Sequence, residues 1–254
     1  DRGGMLVLML VLAVLGASAQ APAPKEPVLP ARAKIHTIVV EHFWQVNTYI
    51  LVGPNKQAII IDPGDDYEWE AQELYRANGK DVQRIWDFLQ KNKIKLKYML
   101  ITHGHIDHLG GIKFLKEKTG ATLLMHKADV RPEGDPLAGQ PKDAVLIKGG
   151  LVKVDGTIDE GDIITCDGMS LKVLFTPGHS RGAICFLTKQ NGVPILFSGD
   201  TLLHYYTGWD GNYYDTGRTN FRDGSGDEAL LYKNVREKLL TLPENTIVYP
   251  GHYE

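Results

Sequence analysis

Short apolar runs, bounded by turn-forming residues, recur along the chain and predict strands. The segment Gln57–Ile61 ends in consecutive isoleucines directly before Asp62-Pro63-Gly64, which is typical of a strand buried on both faces. The other predicted strands are Ile35–Val40, Asn47–Val52, Lys97–Thr102, Ile163–Thr165, Ser170–Phe175, Gly182–Thr188, Val193–Phe197 and Thr246–Tyr249.

Apolar residues at helical spacing predict helices between these strands. The predicted helices are Asp66–Ala77, Val82–Lys91, Gly110–Lys118 and Asp227–Leu240, with Asp81 expected as the N-cap of the second. Lys127–Gly150 is rich in glycine, proline and charge, and predicts a loop. Both halves of the chain thus run from strands to helix to strand, which favours one α/β domain, a sandwich of two sheets flanked by helices.

The N-terminus differs in composition from the remainder of the chain. The apolar run Met5–Leu15 is followed by Ala17-Ser18-Ala19, which fits a signal peptide with a small-residue cleavage site. It is shorter than the roughly 20 apolar residues that cross a bilayer. We expect residues 1–19 to be a signal peptide, residues 20–34 a Pro-rich linker and residues 35–254 the folded domain. We therefore expect export to the periplasm or beyond, with no stable membrane span after cleavage; an uncleaved anchor or a buried helix are the alternatives.

Charge and cysteine content narrow the functional classes. Lys and Arg number 28 against 31 Asp and Glu, for a net charge of −3. Without a basic excess to neutralise phosphates, nucleic acid is not expected as the main partner. The two cysteines, Cys166 and Cys185, are too few for a disulfide framework. Two buried thiols are the favoured interpretation, and a disulfide between them is the alternative.

The densest chemical signal is the sequence THGHIDHLGG at residues 102–111. It lies between a predicted strand and a predicted helix. His103 and His105, two positions apart, can converge on one cation from an extended segment, and Asp107 and His108 can reach a second cation beside it. Imidazole and carboxylate ligands suit zinc, iron or manganese. The sequence therefore predicts a metal site at this turn.

Three further candidate ligands follow predicted strands later in the chain. They are His179, Asp200 and His252, each directly preceded by a glycine that permits a sharp turn. Asp200 is a carboxylate able to bridge two cations. Each of these residues would carry little weight alone, but together with the turn at residues 102–111 they complete the ligands for two metal ions.

These motifs resemble a known signature. THGHIDHLGG, TPGHSRG, LFSGDTL, YPGH and the Asp62 of IDPG look like the five-part signature of the metallo-β-lactamase superfamily, over roughly Ile35 to Glu254. The resemblance implies a four-layer αββα sandwich with the metal site at one edge. It assigns His103, His105 and His179 to one metal, Asp107, His108 and His252 to the second, Asp200 as the bridge, and Asp62 as a support of the ligand loop. Relatives continue beyond the matching histidine, so a truncated C-terminus is expected.

Within the superfamily, two features are similar to the glyoxalase-II-like hydrolases. One is the bridging Asp200, where true β-lactamases usually carry cysteine or serine. The other is the stretch beginning at Gly217-Arg218-Thr219. The resemblance implies a hydrolase with two divalent metals, zinc first and iron or manganese as alternatives, whose metal-bound hydroxide attacks a small thioester, ester or lactone. A thioester fits because its thiolate leaves without a general acid. Asp107 and Asp200 would be both ligands and catalytic residues.

Three alternatives remain at the level of sequence. A metallo-β-lactamase would act on lactams, and a persulfide dioxygenase, whose family shares the GRT-type stretch, would use a single iron. The third is a metal-binding structural homologue without activity. Structural zinc sites are closed by four ligands, commonly cysteines, whereas seven nitrogen and oxygen ligands for two metals leave coordination open to water.

An aromatic stretch at Leu202–Asp215 follows Asp200. We interpret it, together with Arg218, as a wall of the substrate pocket, because aromatic faces bind apolar or ring substrates. The candidate pocket residues are Tyr205, Tyr206, Trp209, Tyr213 and Arg218. Packing of the loop on its own core and an oligomer contact are the alternatives.

Overall fold

Two β-sheets, packed face to face, position every candidate ligand. The computed structural model describes residues 26–40, 45–64, 67–70, 73–77, 79–130, 144–147, 150–207, 211–217, 219 and 226–252. The predicted signal peptide, residues 1–19, lies outside these ranges. Within them, no helix is both long and apolar enough to cross a membrane.

The strands follow one another in short segments. They are β1 Lys34–Val39, β2 Asn47–Val52, β3 Gln57–Ile61, β4 Tyr67–Glu70, β5 Glu73–Ala77, β6 Lys95–Leu100, β7 Thr122–Met125, β8 Ala144–Ile147, β9 Gly150–Lys153, β10 Gly156–Thr157, β11 Ile163–Cys166, β12 Met169–Phe175, β13 Ile184–Gln190, β14 Val193–Gly199, β15 Leu203–Thr207, β16 Gly211–Asp215 and β17 Ile247–Pro250. The helices are α1 Lys80–Asn92, α2 Ile112–Thr119 and α3 Glu228–Asn234, which continues as a π-helical turn at Val235–Leu239. Short 3₁₀ turns cover Ile106–His108 and Lys127–Asp129.

The first sheet has the strand order β1-β2-β3-β6-β7-β10 and the second the order β11-β12-β13-β14-β17. In the first sheet β3, β6 and β7 are mutually parallel. In the second sheet β14 is parallel to β17, and β12 runs in the same direction because β13 is antiparallel to both β12 and β14. The carboxyl ends of β3 and β6 therefore share one edge of their sheet, and those of β12, β14 and β17 share one edge of theirs.

Three apolar interfaces hold four layers together. Val82 and Ile85 of α1 pack with Ile112 of α2 against the first sheet. Residues of both sheets fill the central interface, and Leu231 of α3 packs on the outer face of the second sheet. This helix–sheet–sheet–helix order confirms the predicted αββα sandwich.

Strand β3 shows how the sequence encodes two of these interfaces. Ile59 and Ile61 belong to the core between the sheets, whereas Ile60 faces the helices. Successive strand residues point to opposite faces, so an uninterrupted isoleucine run is needed where both faces are buried. The strand ends at Ile61, and Asp62, which follows it with a positive φ of 49°, turns the chain.

The helix predicted at Asp66–Ala77 is wrong. The described residues form the antiparallel pair β4 and β5 instead. Tyr67-Glu68-Trp69-Glu70 alternates apolar and charged residues, and this period of two favours a strand over a helix. The predicted N-cap is also wrong: α1 begins after Gly79, and Asp81 lies within the first turn, where it pairs with Arg84 at 2.6 Å.

The segments predicted as a linker and as a loop both contribute to the fold where they are described. In the Pro-rich linker, Leu29 is buried and donates its N–H to Lys189 O at 2.7 Å, and Gln190 Nε2 donates to Pro30 O at 3.0 Å. The linker is thus fixed on the second sheet from residue 26 onward, because backbone groups of this segment find partners on β12 and β13. The predicted loop Lys127–Gly150 contains the second 3₁₀ turn and β8.

The prediction of two buried thiols is confirmed, since Cys166 and Cys185 are both free and buried. Burial raises the pKa of each thiol to about 11. Neither is therefore an appreciable thiolate near neutral pH.

Candidate metal centre

The candidate ligands come from the turns that follow strands β6, β12, β14 and β17. These turns lie at the carboxyl ends of strands that share an edge in each sheet, and the face-to-face packing brings the two edges together. Seven side chains from both halves of the chain meet there: His103, His105, Asp107, His108, His179, Asp200 and His252.

Three histidines form the first group, called here the three-histidine cluster. His179 Nε2 lies 2.9 Å from His105 Nδ1 and 3.1 Å from His103 Nε2. One ring nitrogen of each side chain lies within 4.8 Å of the others. His103 and His105 come from the turn after β6, whereas His179 comes from the turn after β12, so the cluster joins the two sheets.

A second group, called here the mixed cluster, contains Asp107, His108 and His252. His108 Nε2 lies 3.3 Å from His252 Nε2 and 3.7 Å from Asp107 Oδ2. His252 Nε2 lies 3.5 Å from the same Asp107 oxygen. Imidazole and carboxylate donors therefore face one point.

Asp200 lies between the two clusters. Its Oδ2 is 3.3 Å from His179 Nε2 and 3.1 Å from His252 Nε2. Its Oδ1 is 3.5 Å from His108 Nε2 and, among the described residues, is buried without a hydrogen-bond partner. A buried carboxylate oxygen needs a compensating partner, which a cation would supply. The donor set therefore fits two neighbouring divalent cations.

Glycines before the ligands permit this approach. Gly199 has a φ of 49°, where a side chain would be strained. A Cβ on Gly251 would collide with Asp200 Oδ1 and lie 3.0 Å from His108 Cε1. A larger residue at position 251 would therefore displace Asp200 and His108.

Burial and charge act differently on the histidines of the two clusters. Burial lowers the pKa of His103 well below its ordinary value and also lowers that of His105. These rings are therefore neutral near pH 7, the form that binds metal. Burial also opposes protonation of His108, but the carboxylates of Asp107, Asp200 and Asp62 outweigh it and raise the pKa of His108.

The same balance holds for the carboxylate between the clusters. Burial by itself would raise the pKa of Asp200, but the neighbouring His252, His108 and His179 outweigh it and hold the pKa well below its ordinary value. Burial opposes the protonation of His252, whereas Asp200 raises its pKa. Asp200 is therefore an anion in contact with rings of both clusters.

Asp62 supports the ligand loop from beneath. Thr102 donates its N–H to Asp62 Oδ1 at 2.8 Å and its hydroxyl to Oδ2 at 2.7 Å. His108 Nδ1 lies 3.0 Å from Oδ2, which places the ring N–H on the carboxylate and leaves Nε2 facing the mixed cluster. A carboxylate behind a histidine fixes the tautomer and the ring orientation of a metal ligand in this way.

Sequence reasoning missed a clamp between the two halves of the chain. Asn47 Nδ2 and Tyr49 Oη both donate to Pro250 O, at 3.1 and 2.5 Å, and Asn47 N donates to Gly251 O at 2.8 Å. These bonds hold the turn that carries His252. A buried asparagine in an otherwise apolar strand is the signal that could have found the clamp.

Sequence reasoning also missed Asp129, whose carboxylate contacts both loops of the three-histidine cluster. The signal for it was an acidic residue shortly after a parallel strand, the position that Asp62 also has.

The predicted pocket residues are described only in part. Tyr205, Tyr206 and Tyr213 lie in the backbone of the hairpin β15–β16, in which Tyr205 pairs with Tyr213. Trp209 and Arg218 lie outside the described residues. Gly217, adjacent to Arg218, donates its N–H to Asp200 O at 2.8 Å. The segment therefore passes beside the metal centre, and its role in substrate binding stays a prediction.

Known proteins share this sequence and fold. The family model of the metallo-beta-lactamase superfamily matches residues 43–252. An uncharacterized protein of Mycobacterium tuberculosis is 34% identical over 215 residues, which cover 81% of this chain and 85% of that protein. Hydroxyacylglutathione hydrolase GloC of Haemophilus influenzae is 31% identical over 215 residues, covering 82% and 86% respectively. The crystal structure of TTHA1623 in a di-iron-bound form matches with a TM-score of 0.59 and 28% identity, over 84% of this chain and 90% of that one.

Proposed function

Because the chain belongs to the metallo-beta-lactamase superfamily of metal-dependent hydrolases, we propose that it is a dinuclear hydrolase of a small thioester or of a related ester or lactone. In this proposal His103, His105 and His179 hold one divalent cation and Asp107, His108 and His252 hold the other. Asp200 contacts both.

The position of Asp200 is the observation that carries the proposal. One carboxylate oxygen lies 3.3 Å from a ring nitrogen of the three-histidine cluster and 3.1 Å from one of the mixed cluster. A single-metal site would not need a second set of ligands so close to the first. A structural site would be closed by four ligands, whereas these seven donors leave positions for water and substrate.

The chain's own residues have distinct roles in the proposed reaction. When bound, two adjacent divalent cations lower the pKa of a water molecule towards neutrality and stabilise negative charge on a carbonyl oxygen. The neutral rings of His103 and His105 offer lone pairs without first losing a proton. Asp107, whose side chain is 17% exposed, is partly open to solvent, and the carboxylate oxygen that does not face the mixed cluster can accept the proton of the attacking water.

The proposed substrate class follows from the leaving group. The thiolate of a thioester leaves without protonation, whereas the amine of a lactam must receive a proton. The similarity to a hydroxyacylglutathione hydrolase supports this choice. Zinc is the proposed metal, since imidazole and carboxylate suit it, and the di-iron form of TTHA1623 makes iron the competing assignment.

The test is a substrate panel measured beside metal content. Protein purified without chelator is assayed on thioesters, lactones, β-lactams and glutathione persulfide. We expect about two metals per chain and turnover highest on a thioester. One iron per chain with oxygen consumption on the persulfide would establish a dioxygenase instead. Preference for β-lactams would move the proposal to lactamase chemistry.

We further propose that the aromatic stretch Leu202–Asp215 tunes substrate binding. Its position directly after Asp200 in the chain supports this. Trp209→Ala or Tyr206→Ala should raise KM more than it lowers kcat, the pattern of lost uniform binding. We expect a loss of about 1–3 kcal/mol in kcat/KM. Unchanged kinetics on the best substrate would assign the stretch to packing or to an oligomer contact.

Export is proposed on the N-terminal sequence. The apolar run Met5–Leu15 and the small residues Ala17 and Ala19 support cleavage after position 19. Mass spectrometry of the expressed protein should find an N-terminus at or near Gln20. Soluble cytosolic protein that keeps Met5–Leu15 would contradict the proposal.

A further inference from the structure

Asp129 lies between the two loops that carry the three-histidine cluster. Its Oδ2 accepts the N–H of Gly104 at 2.7 Å and the hydroxyl of Ser180 at 2.6 Å. Its Oδ1 accepts the N–H of Gly182 at 2.7 Å. One half-buried carboxylate thus receives three hydrogen bonds from two separate loops.

These bonds are placed directly beside the ligands. Gly104 separates His103 from His105 in the chain, and Ser180 follows His179. The two loops emerge from different sheets, and one backbone hydrogen bond, from Ile184 N to Thr102 O at 2.9 Å, joins their ends. A relative shift of the loops would separate rings whose nitrogens lie 2.9 and 3.1 Å apart. The carboxylate of Asp129 adds three hydrogen bonds to this link and places them next to the ligands, where they restrain the distances between the rings.

Glycines at positions 104 and 182 leave the space that this contact needs. A Cβ at Gly182 would lie 2.6 Å from Asp129 Cγ, and one at Gly104 would lie 3.1 Å from Asp129 Cβ. Asp129 itself ends the 3₁₀ turn that begins at Lys127, where His126 Nδ1 accepts the N–H of Ala128 at 3.2 Å. The carboxylate is therefore held from its own side as well as from the two loops.

We propose that Asp129 is a positioning residue of the metal centre, which aligns His103, His105 and His179 and thereby sets the affinity of this cluster for its cation. It acts through the loops, because both of its oxygens already accept hydrogen bonds from them. The inference rests on the proposed metal centre and adds a residue to it.

The test variant is Asp129→Asn. The amide has nearly the same shape, but its NH₂ group meets a hydrogen-bond donor where the carboxylate offered an acceptor. A matched control exists at Asp167, which accepts hydrogen bonds from Asn55 N and Nδ2 at 2.7 Å each and from Gln57 N at 3.2 Å. This carboxylate also joins two turns, but those turns precede β3 and β12 and lie at the ends opposite to the ligands.

The measurement is metal affinity, with each metal-free protein titrated with Zn²⁺ against a chromophoric chelator. The more tightly bound Zn²⁺ is the one we expect in the three-histidine cluster. We expect Asp129→Asn to weaken its binding by about 10- to 100-fold, as loss of a carboxylate behind a metal ligand does. Asp167→Asn should bind as the wild type does, whatever its melting temperature. The visible spectrum of bound Co²⁺, which reports ligand geometry, should change in Asp129→Asn alone.

Each contrary outcome has a definite meaning. If the wild type binds two Zn²⁺ and Asp129→Asn binds them equally well, the inference is wrong and the proposed metal centre stands. If Asp167→Asn weakens binding as much as Asp129→Asn, the effect is general destabilisation and the inference also fails. If the wild type binds no metal, the proposed function itself fails.

A second variant covers the case in which Asp129→Asn does not fold. Ser180→Ala removes one of the three hydrogen bonds and leaves the two from backbone N–H groups. We expect the more tightly bound Zn²⁺ to bind several-fold less tightly, a smaller effect than that expected for Asp129→Asn. Unchanged affinity in folded Ser180→Ala would overturn the inference.

Discussion

The two ligand clusters share one carboxylate but are built in different ways. Two of the three rings in the three-histidine cluster are buried, with side-chain exposures of 1% for His103 and 3% for His179, and burial keeps the rings of His103 and His105 neutral. In the mixed cluster only His108 is buried. The mixed cluster is more open, with exposures of 17% for Asp107 and 12% for His252. Carboxylates next to its rings outweigh the effect of burial.

Their supports differ as well. Asp129 joins the loops of the three-histidine cluster, whereas the mixed cluster depends on Asp62 behind His108 and on the clamp from Tyr49 to the turn of His252. One site thus contains a more buried half with neutral rings and a more open, charged half. We infer that the buried half keeps its cation longer and that the open half exchanges its cation with solvent.

The largest effect is expected from the residue that the clusters share. Asp200→Ala removes the carboxylate that lies between the clusters, so metal content should fall from about two per chain to one or less, and turnover should fall by about a thousand-fold or more. Metal analysis and kinetics are the measurements. Asp87→Ala, which removes an exposed carboxylate from α1, is the control. Two retained metals in Asp200→Ala would show that the clusters are independent.

A paired substitution separates the clusters. His105→Ala should remove the buried cation and nearly all turnover, about a thousand-fold. His252→Ala should leave about one cation per chain and a larger residual activity, because the buried cluster keeps its three rings. Metal content after gel filtration distinguishes the two variants. Equal loss of both metals in each variant would contradict the division into a buried and an open half.

A smaller effect is expected from the support of the mixed cluster. Asp62→Asn presents an NH₂ group to donors on Thr102 and His108, so the orientation of His108 should be lost. We expect the weaker metal to bind about 10- to 100-fold less tightly, as measured by chelator competition. Asp81→Asn, at a buried carboxylate that pairs with Arg84 on α1, is the control for stability. If Asp62→Asn weakens only the tighter metal, the assignment of Asp62 to the mixed cluster is wrong.

Much of the fold could be predicted from the sequence because its signals are local. The isoleucine run of β3 and the glycines before the ligands each determine the structure of only the few residues around them. The hairpin β4–β5 was not predicted because the strand period covers only the four residues of β4, whereas apolar positions across Asp66–Ala77 also fit helical spacing. The contacts of the linker could not be predicted from its composition, because its partners Lys189 and Gln190 lie far along the chain.

The same distinction between local signals and distant partners applies to the candidate site. The residues 102–111 contain four possible ligands in one turn, so chemistry alone points to metal. Which later histidine joins which cluster followed only from a family resemblance. The roles of Asp129 and Tyr49 could not be predicted because they depend on distant partners. The hydrogen bond from Tyr49 to Pro250, for example, spans 201 positions. Supports of a site are tertiary features, whereas its ligands can be sequence motifs.

The smallest effect is expected at the clamp, and it tests whether each cluster has its own support. Tyr49→Phe removes the hydroxyl that donates to Pro250 O but keeps the ring, which packs 5.3 Å from the Phe197 centroid and 5.2 Å from that of Tyr249. Asn47 still donates to the same oxygen. The free energy of unfolding should fall by about 1 kcal/mol, and the weaker metal should bind a few-fold less tightly, while the tighter metal is unaffected. Tyr232→Phe, at an exposed tyrosine of α3, is the control in chelator competition and thermal unfolding. If stability falls but the affinities for both metals stay at wild-type values, the clamp stabilises only the fold. The mixed cluster would then depend on Asp62 and not on the clamp.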